Sequence, residues 1–307
     1  METQKYLPLA LVCTFFWGLS YPLVKLGNQF FIPGGKVPEL LLFAGMRFLI
    51  SGGLIVIYGQ FRRKKRPGLP ALPIGKTLGR VLILSLLLTV FHYTLMYVGL
   101  SNCSGSKSSV LKQAGIIVVI LFSGVFYSDD KLTPRKLVGC LIGFAGIMIS
   151  NLPLGSGFSL TGEGFILLAS LSSSAGDLYS KHAAVGTDPV FLSGWQQLIG
   201  GLILLIAGIL SGGRLGAVNL KGAAVLALLV VSSINAYTLW LCLAKNCEIS
   251  KLSLLKLTIP IFGIITSSVI LGEQLFKWQN WAAVLLVTIG VAIAEQSRTE
   301  VKGQCGE

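Results

Sequence analysis

The sequence predicts an all-α membrane protein, with ten transmembrane helices arranged as two inverted five-helix repeats around a central cavity. Three observations lead there. Of the 307 residues 53% are hydrophobic and only 12% charged, with mean hydropathy +0.77, whereas a soluble domain carries about 25% charge. Windows of about 19 residues find ten apolar segments, at 6–26, 38–60, 78–100, 105–127, 134–151, 162–183, 189–211, 221–244, 250–272 and 279–296. Each is close to the ~20 residues that cross a bilayer as a helix. Finally, the run from Gly99 to Ile149 resembles the run from Leu243 to Ile293 without a gap. At a constant spacing of 144, Asn102-Cys103 meets Asn246-Cys247, Lys112 meets Lys256, Ser123 meets Ser267, Asp129 meets Glu273 and Gly146 meets Gly290. The chain reads as one unit written twice.

Five crossings per unit is an odd number, so the second unit enters the membrane from the opposite side. Such inverted repeats place a binding site near the midplane between the copies and work by alternating access. The expected boundaries are 1–151 for the first repeat, 152–161 for an outer Gly/Ser/Pro-rich linker, 162–296 for the second repeat and 297–307 for a polar cytoplasmic tail. The net charge of +13 is concentrated in one loop, with Arg62, Arg63, Lys64, Lys65, Arg66 and Lys76. That crowding is the positive-inside signature. It sets orientation rather than marking a nucleic-acid partner, and with ten crossings it puts both termini in the cytoplasm of a multi-pass plasma (inner) membrane protein. The first segment follows a single lysine and lacks a small-x-small cleavage site, so it reads as a retained helix.

Along the chain, the first helix carries Trp17-Gly18, where Trp17 packs in the bundle or lines a site, and Pro22, which frees a carbonyl that needs a partner inside the bundle. The second carries Arg47 about 13 Å from its outer end at 1.5 Å per residue, too deep to reach the headgroups. It serves there as a clamp for carbonyls or as an anchor for substrate. The third ends in Thr89, His92, Tyr93 and Tyr97, where His92 is a hydrogen-bonded structural residue or a contact for substrate or a proton. The fourth and ninth each hold one lysine inside an apolar segment. Lys112 lies about 10 Å below the outer surface and Lys256 about 9 Å above the inner one. A fixed charge at that depth faces protein, water or a ligand.

The fifth helix has the close-packing face Gly139, Gly143 and Gly146. The sixth holds Asp177, read as an i, i+4 partner of Lys181 or as a proton carrier. The seventh repeats the second at a spacing of 149, which puts Gln196 opposite Arg47. The eighth adds Asn235, Tyr237, Thr238 and Trp240, suited to hydrogen bonding and stacking. The six cysteines are scattered, with no CxxC and no His/Cys cluster at ligand spacing, so no metal and no cofactor are expected. Gly105-Ser106-Lys107-Ser108 lacks the Gly-Lys-Ser/Thr order of a phosphate loop.

Pro260, Gly272-Glu273 and the small-residue helix to Gly290, together with Trp17-Gly18, Arg47-Phe48 and Gln196-Gln197-Leu198, resemble the EamA-type members of the drug/metabolite transporter superfamily. The resemblance runs from Tyr6 to Glu295. It implies a single-chain, ten-helix bundle with a central polar cavity that carries a small metabolite. The first copy departs from the pattern at Ile116, where the proline belongs, and at Ser128-Asp129, where Gly-Glu belongs; Ala175 replaces a tryptophan. Lys112 and Lys256 also resemble the basic residues that sugar-phosphate translocators place on the fourth and ninth helices, although Leu257 stands where a neighbouring arginine belongs.

The expected function is secondary transport of a small polar metabolite, such as an amino acid, organic acid or other anionic compound, by export or exchange rather than strict proton antiport. Lys112, Lys256, Arg47, His92, Tyr93, Gln196, Asn235 and Trp240 are the expected substrate-binding residues, with Asp177 and His92 as possible proton carriers. A multidrug or lipid exporter of the same fold is the alternative. An intramembrane enzyme is disfavoured because no HExxH, paired acids or Ser/His/Asp set lies at depth. The expected partners are a small-molecule substrate and the lipid bilayer, with no nucleic acid, and the protein acts as a monomer.

Overall fold

The computed structural model describes residues 2–32, 34–65, 71–102, 105–151, 158–216, 219–272 and 278–295. Their secondary structure is helical throughout, without a strand. The helices are α1 (Glu2–Phe31), α2 (Val37–Lys65), α3 (Lys76–Leu84), α4 (His92–Asn102), α5 (Gly105–Phe126), α6 (Pro134–Asn151), α7 (Phe165–Ala184), α8 (Pro189–Leu210), α9 (Leu220–Asn246), α10 (Ile249–Leu255), α11 (Ile259–Leu271) and α12 (Trp278–Glu295). A π-helical stretch, Ser85–Phe91, joins α3 to α4; a second, Leu160–Gly164, leads into α7; a 3-10 turn, Lys256–Thr258, joins α10 to α11. Every apolar segment of the sequence falls on helix. Among the described residues, Tyr6–Phe31, Val37–Lys64, Lys76–Leu100, Pro189–Leu210, Leu220–Asn246 and Ile249–Leu271 are long and apolar enough to span a bilayer.

The termini of these helices follow local chemistry. Asp188 caps α8 by accepting from the Phe191 N–H at 2.9 Å, with Pro189 in the first turn, where a missing N–H costs nothing. Asn219 caps α9 by accepting from Gly222 N–H at 2.7 Å. Gly272 ends α11 with φ +67°, a left-handed cap that a side chain would strain. Inside α1, Pro22 lacks the N–H that would bond the Gly18 carbonyl, and Thr266 Oγ1 of α11 donates to that carbonyl at 3.4 Å. Pro260 deprives the Lys256 carbonyl in the same way, and the backbone there tightens into the 3-10 turn.

Two seams of small residues bring the first half of the chain against the second, and their contacts are reciprocal. Between α2 and α8, a Cβ on Gly52 would strike the backbone of Leu198, and one on Gly201 would strike the backbone of Leu49. Both pairs interchange at the spacing of 149. Gly45 against Leu205 and Gly194 against Val56 interchange in the same way. Between α6 and α12, Gly139 meets Gly290 and Gly146 meets Ala283, which interchange at 144. The buried core lies beside these seams, with one cluster around Phe48, Leu84, Leu192 and Tyr237 and another around Val119, Trp240 and Leu252. Glu273, Lys277, Cys103-Ser104, most of the expected linker and the tail lie outside the described residues.

Candidate functional site

A cavity of about 200 Å³ opens between α1, α2, α4, α5, α7, α9 and the α10–α11 turn. Lys112, Lys256, Arg47, His92, Tyr93, Trp240 and Asp177 all line it. Residues as far apart as Trp17 and Ile259 therefore share one wall. The lining includes Met96, Tyr97 and Leu100 in the last turns of α4, so the cavity reaches toward the α4–α5 end of the bundle.

Lys256 is held on three sides. Its Nζ donates to Asp177 Oδ2 at 2.6 Å, and it lies over the Trp240 ring at 3.8 Å and the Trp17 ring at 4.8 Å from the centroids. Such contacts stabilise a desolvated ammonium by about 2 kcal/mol. Placing Lys256 on the 3-10 turn ahead of Pro260 aims its stem inward between these rings. The pairing of Asp177 with Lys181 expected from helical spacing is therefore corrected: Lys181 points out and pairs with Asp129 at 2.6 Å, over the Tyr127 ring. Asp177 is 4% exposed, and burial draws it to the cation inside the bundle.

Lys112 lies over the Tyr21 ring at 5.8 Å. Among the described residues no carboxylate comes within ion-pair distance of it. Arg47, 4% exposed, donates from Nε to Ser233 Oγ at 2.6 Å and from Nη2 to Ser20 Oγ at 3.2 Å, with its guanidinium over Phe48. Both partners are neutral. His92 Nδ1 lies 2.9 Å from the Ala169 carbonyl. A carbonyl only accepts, so Nδ1 carries the hydrogen and Nε2 of the neutral ring is an acceptor. The π-helical stretch that ends at Phe91 sets the register of His92 and Tyr93 on the cavity wall, as such distortions do at functional sites.

Gln196 and Asn235 are not brought to the cavity. Gln196 Nε2 donates to Thr89 Oγ1 at 2.5 Å inside the α8 contact with the π-helical stretch, because that face of α8 packs on protein. Asn235 Nδ2 donates to the Val231 carbonyl of its own helix at 2.8 Å. Sequence reasoning missed Ser20 and Ser233; Trp17, with packing and site lining as its two readings, packs on Tyr237 and Trp240 and also lines the cavity. Tyr237 is a further lining residue that the repeat spacing marks: the Tyr93 and Tyr237 hydroxyls, 144 residues apart, hydrogen-bond to each other at 3.1 Å.

A second group of buried charges lies at the opposite end, where the α5–α6 and α9–α10 connections meet. Lys136 Nζ pairs with Asp130 Oδ1 at 2.7 Å and Glu248 Oε2 at 3.0 Å. Asp130 also accepts from the Ser250 N–H at 2.8 Å and from the Ser250 hydroxyl. Lys251 approaches Glu248 at 3.7 Å. Here every oxygen of Asp130 has a donor. At Asp177 the second oxygen, Oδ1, is buried and has no hydrogen-bond partner, and the same is true of Trp240 Nε1. No group of three or more metal-ligating side chains occurs among the described residues.

A chain from Bacillus subtilis (strain 168), the uncharacterized transporter YvbV, is 26% identical over 99% of this chain and 96% of its own length. The uncharacterized inner membrane transporter YedA of Escherichia coli (strain K12) is 28% identical over 94% of each chain. A probable amino-acid metabolite efflux pump of Salmonella typhimurium (strain LT2) is 26% identical over 91% of each. A crystal structure with 19% identity superposes with TM-score 0.75, covering 93% of this chain and 98% of the other, and so shares the fold. The profile of the EamA-like transporter family matches residues 4–152 and 160–295. Two matched blocks covering nearly the whole chain, on a helical bundle with a charged inner cavity, show that it belongs to the EamA-like transporter family, a family of membrane transporters and not of enzymes.

Proposed function

We propose that the protein is a secondary transporter that moves a small polar metabolite bearing an anionic group across the plasma (inner) membrane by alternating access, as an exporter or exchanger. It acts as a monomer of ten crossings in two inverted five-helix repeats, 1–151 and 162–296, joined by an outer linker at 152–161. Both termini, including the tail at 297–307, lie in the cytoplasm. The reciprocal contacts of the two glycine seams support a two-fold repeat, since an exchange of halves maps each contact onto its partner, and an odd number of crossings per copy makes that repeat inverted. In this frame the cavity opens outward and the Asp130–Lys136–Glu248 cluster closes the inner face. The relative described as an amino-acid metabolite efflux pump supports export of a compound with a carboxylate.

One observation carries the anionic preference. Lys112, Arg47 and Lys256 face the cavity, and the lining carboxylate among the described residues, Asp177, pairs with Lys256 alone. Cations in a low-dielectric wall repel one another unless an anion lies between them, and an anionic substrate supplies it. The same excess disfavours cationic drugs. The test is flux of carboxylate and phosphate compounds into proteoliposomes carrying wild type, Lys112→Gln or Lys256→Gln. Charge-assisted hydrogen bonds contribute about 1.5–3 kcal/mol, so at least one variant is expected to lose roughly tenfold to a hundredfold in apparent affinity. Unchanged affinity in both variants counts against the reading.

A further inference from the structure

The contrast between the two buried aspartates bears on the coupling of transport. Asp130 is saturated by Lys136 and Ser250, as a structural ion pair requires. Asp177 gives one oxygen to Lys256 and leaves the other buried and unpartnered, on the wall of a cavity. Lys256 has aromatic faces on two flanks, so an incoming anion that takes a hydrogen bond from its Nζ must approach where Asp177 Oδ2 now lies. The groups that face Asp177 are Lys256 from the α10–α11 turn, Lys112 from α5, Cys13 from α1 and Tyr237 from α9, with Arg47 and His92 further round the wall. None of them other than Lys256 bonds its carboxylate.

We propose that Asp177 is an internal stand-in for the substrate's anionic group: it neutralises Lys256 while the cavity is empty, and the arriving anion displaces it and is bound together with one proton. The inference rests on the anionic-substrate reading above. On displacement the hydrogen bond from Lys256 Nζ to Oδ2 is exchanged for one to the substrate. The freed carboxylate, unpaired in a low-dielectric wall, is costly to keep charged and takes a proton from cavity water, forming an O–H bond at the carboxyl group. One negative charge and one proton enter together, so a monoanion loads the site without changing its net charge. Anion and proton binding then reinforce each other, and anion affinity falls by up to about tenfold per pH unit as pH rises through the titration of the freed carboxyl.

Benzenesulfonate is the probe, because a sulfonate stays ionised where carboxylates and histidine titrate. Its binding to purified wild-type protein is measured by calorimetry in buffers of different ionisation heat, between about pH 5.5 and 8. The expected result is uptake of close to one proton per anion and tighter binding at low pH. Asp177→Asn is expected to bind the probe at least as tightly as wild type at every pH and to take up no proton, since the competitor is gone. Binding that depends on Lys112, lost in Lys112→Gln, yet proceeds in wild type without proton uptake overturns the stand-in role and leaves the anionic cavity standing. Proton uptake abolished by His92→Gln but kept in Asp177→Asn overturns it too. No binding to wild type, or binding indifferent to both Lys112→Gln and Lys256→Gln, overturns the anionic reading and this one with it.

Discussion

Arg47 and Gln196, 149 residues apart, make the same kind of bond: Arg47 Nε to Ser233 at 2.6 Å, Gln196 Nε2 to Thr89 at 2.5 Å. Their acceptors are themselves 144 apart. Lys112 and Lys256, also 144 apart, do not behave alike: one has a single tyrosine face, the other two indole faces and a carboxylate. The ionic cluster at the α5–α6 end is equally one-sided. The positions 144 on from Asp130 and Lys136 hold Gln274 and Asn280, and the position 144 before Glu248 holds Ser104, all neutral. Backbone contacts between the halves are thus paired, while the ionic partners of the buried charges are not. Packing repeats because a helix seam has one good solution; charge differs because the two ends and the two lysines have different tasks.

The largest expected effect is at the one-sided cluster. Lys136→Met leaves Asp130 and Glu248 buried without their shared cation, and uncompensated buried charge costs about 3–5 kcal/mol. Thermal unfolding in detergent should show it, with partial recovery in Asp130→Asn/Lys136→Met. An unchanged midpoint would mean that the cluster is wet and structurally idle. Next come the paired glycines: Gly52→Ala and Gly201→Ala should each cost about 1–3 kcal/mol, by similar amounts. Gly53→Ala, whose Cβ would meet only Leu198 Cδ1 at 3.9 Å, should be neutral or slightly stabilising. A large difference between Gly52 and Gly201 breaks the equivalence of the halves.

The lysines give smaller, opposite effects on stability without substrate. Lys256→Gln strands Asp177 and should cost about 1–2 kcal/mol, whereas Lys112→Gln removes a charge that has no ion-paired carboxylate among the described residues and should leave the midpoint unchanged or higher. Matching losses at both lysines would contradict the asymmetry drawn between them. Smallest of all, Arg47→Gln should change stability by less than about 1 kcal/mol. Glutamine already makes the corresponding bond at position 196, and a greater loss would show that the guanidinium supports the fold by more than that bond.

Much of this was legible in the sequence. Hydropathy located the helical segments, and the spacing of 144 singled out the two lysines that the fold brings to one cavity. The ion pair of Asp177 was not legible, because Lys256 is 79 residues away and Lys181, the local candidate, satisfies the same helical rule. Gln196 misled for a related reason: it shares a polar face of α8 with Ser193 and Gln197, and that pattern cannot say whether the face meets protein or a cavity. Asn235 could return its amide to its own helix, an option that composition never excludes. The Tyr93–Tyr237 contact was available to anyone who applied the repeat spacing to aromatic residues as well as to charged ones.

That contact places two corresponding phenols against each other, each able to give or to receive the shared hydrogen. A single such bond has one giver, so the halves cannot be identical at the point where they touch. Rotating both hydroxyls reverses the roles without moving a heavy atom. At the centre of the molecule, left and right are therefore told apart by the direction of one O–H.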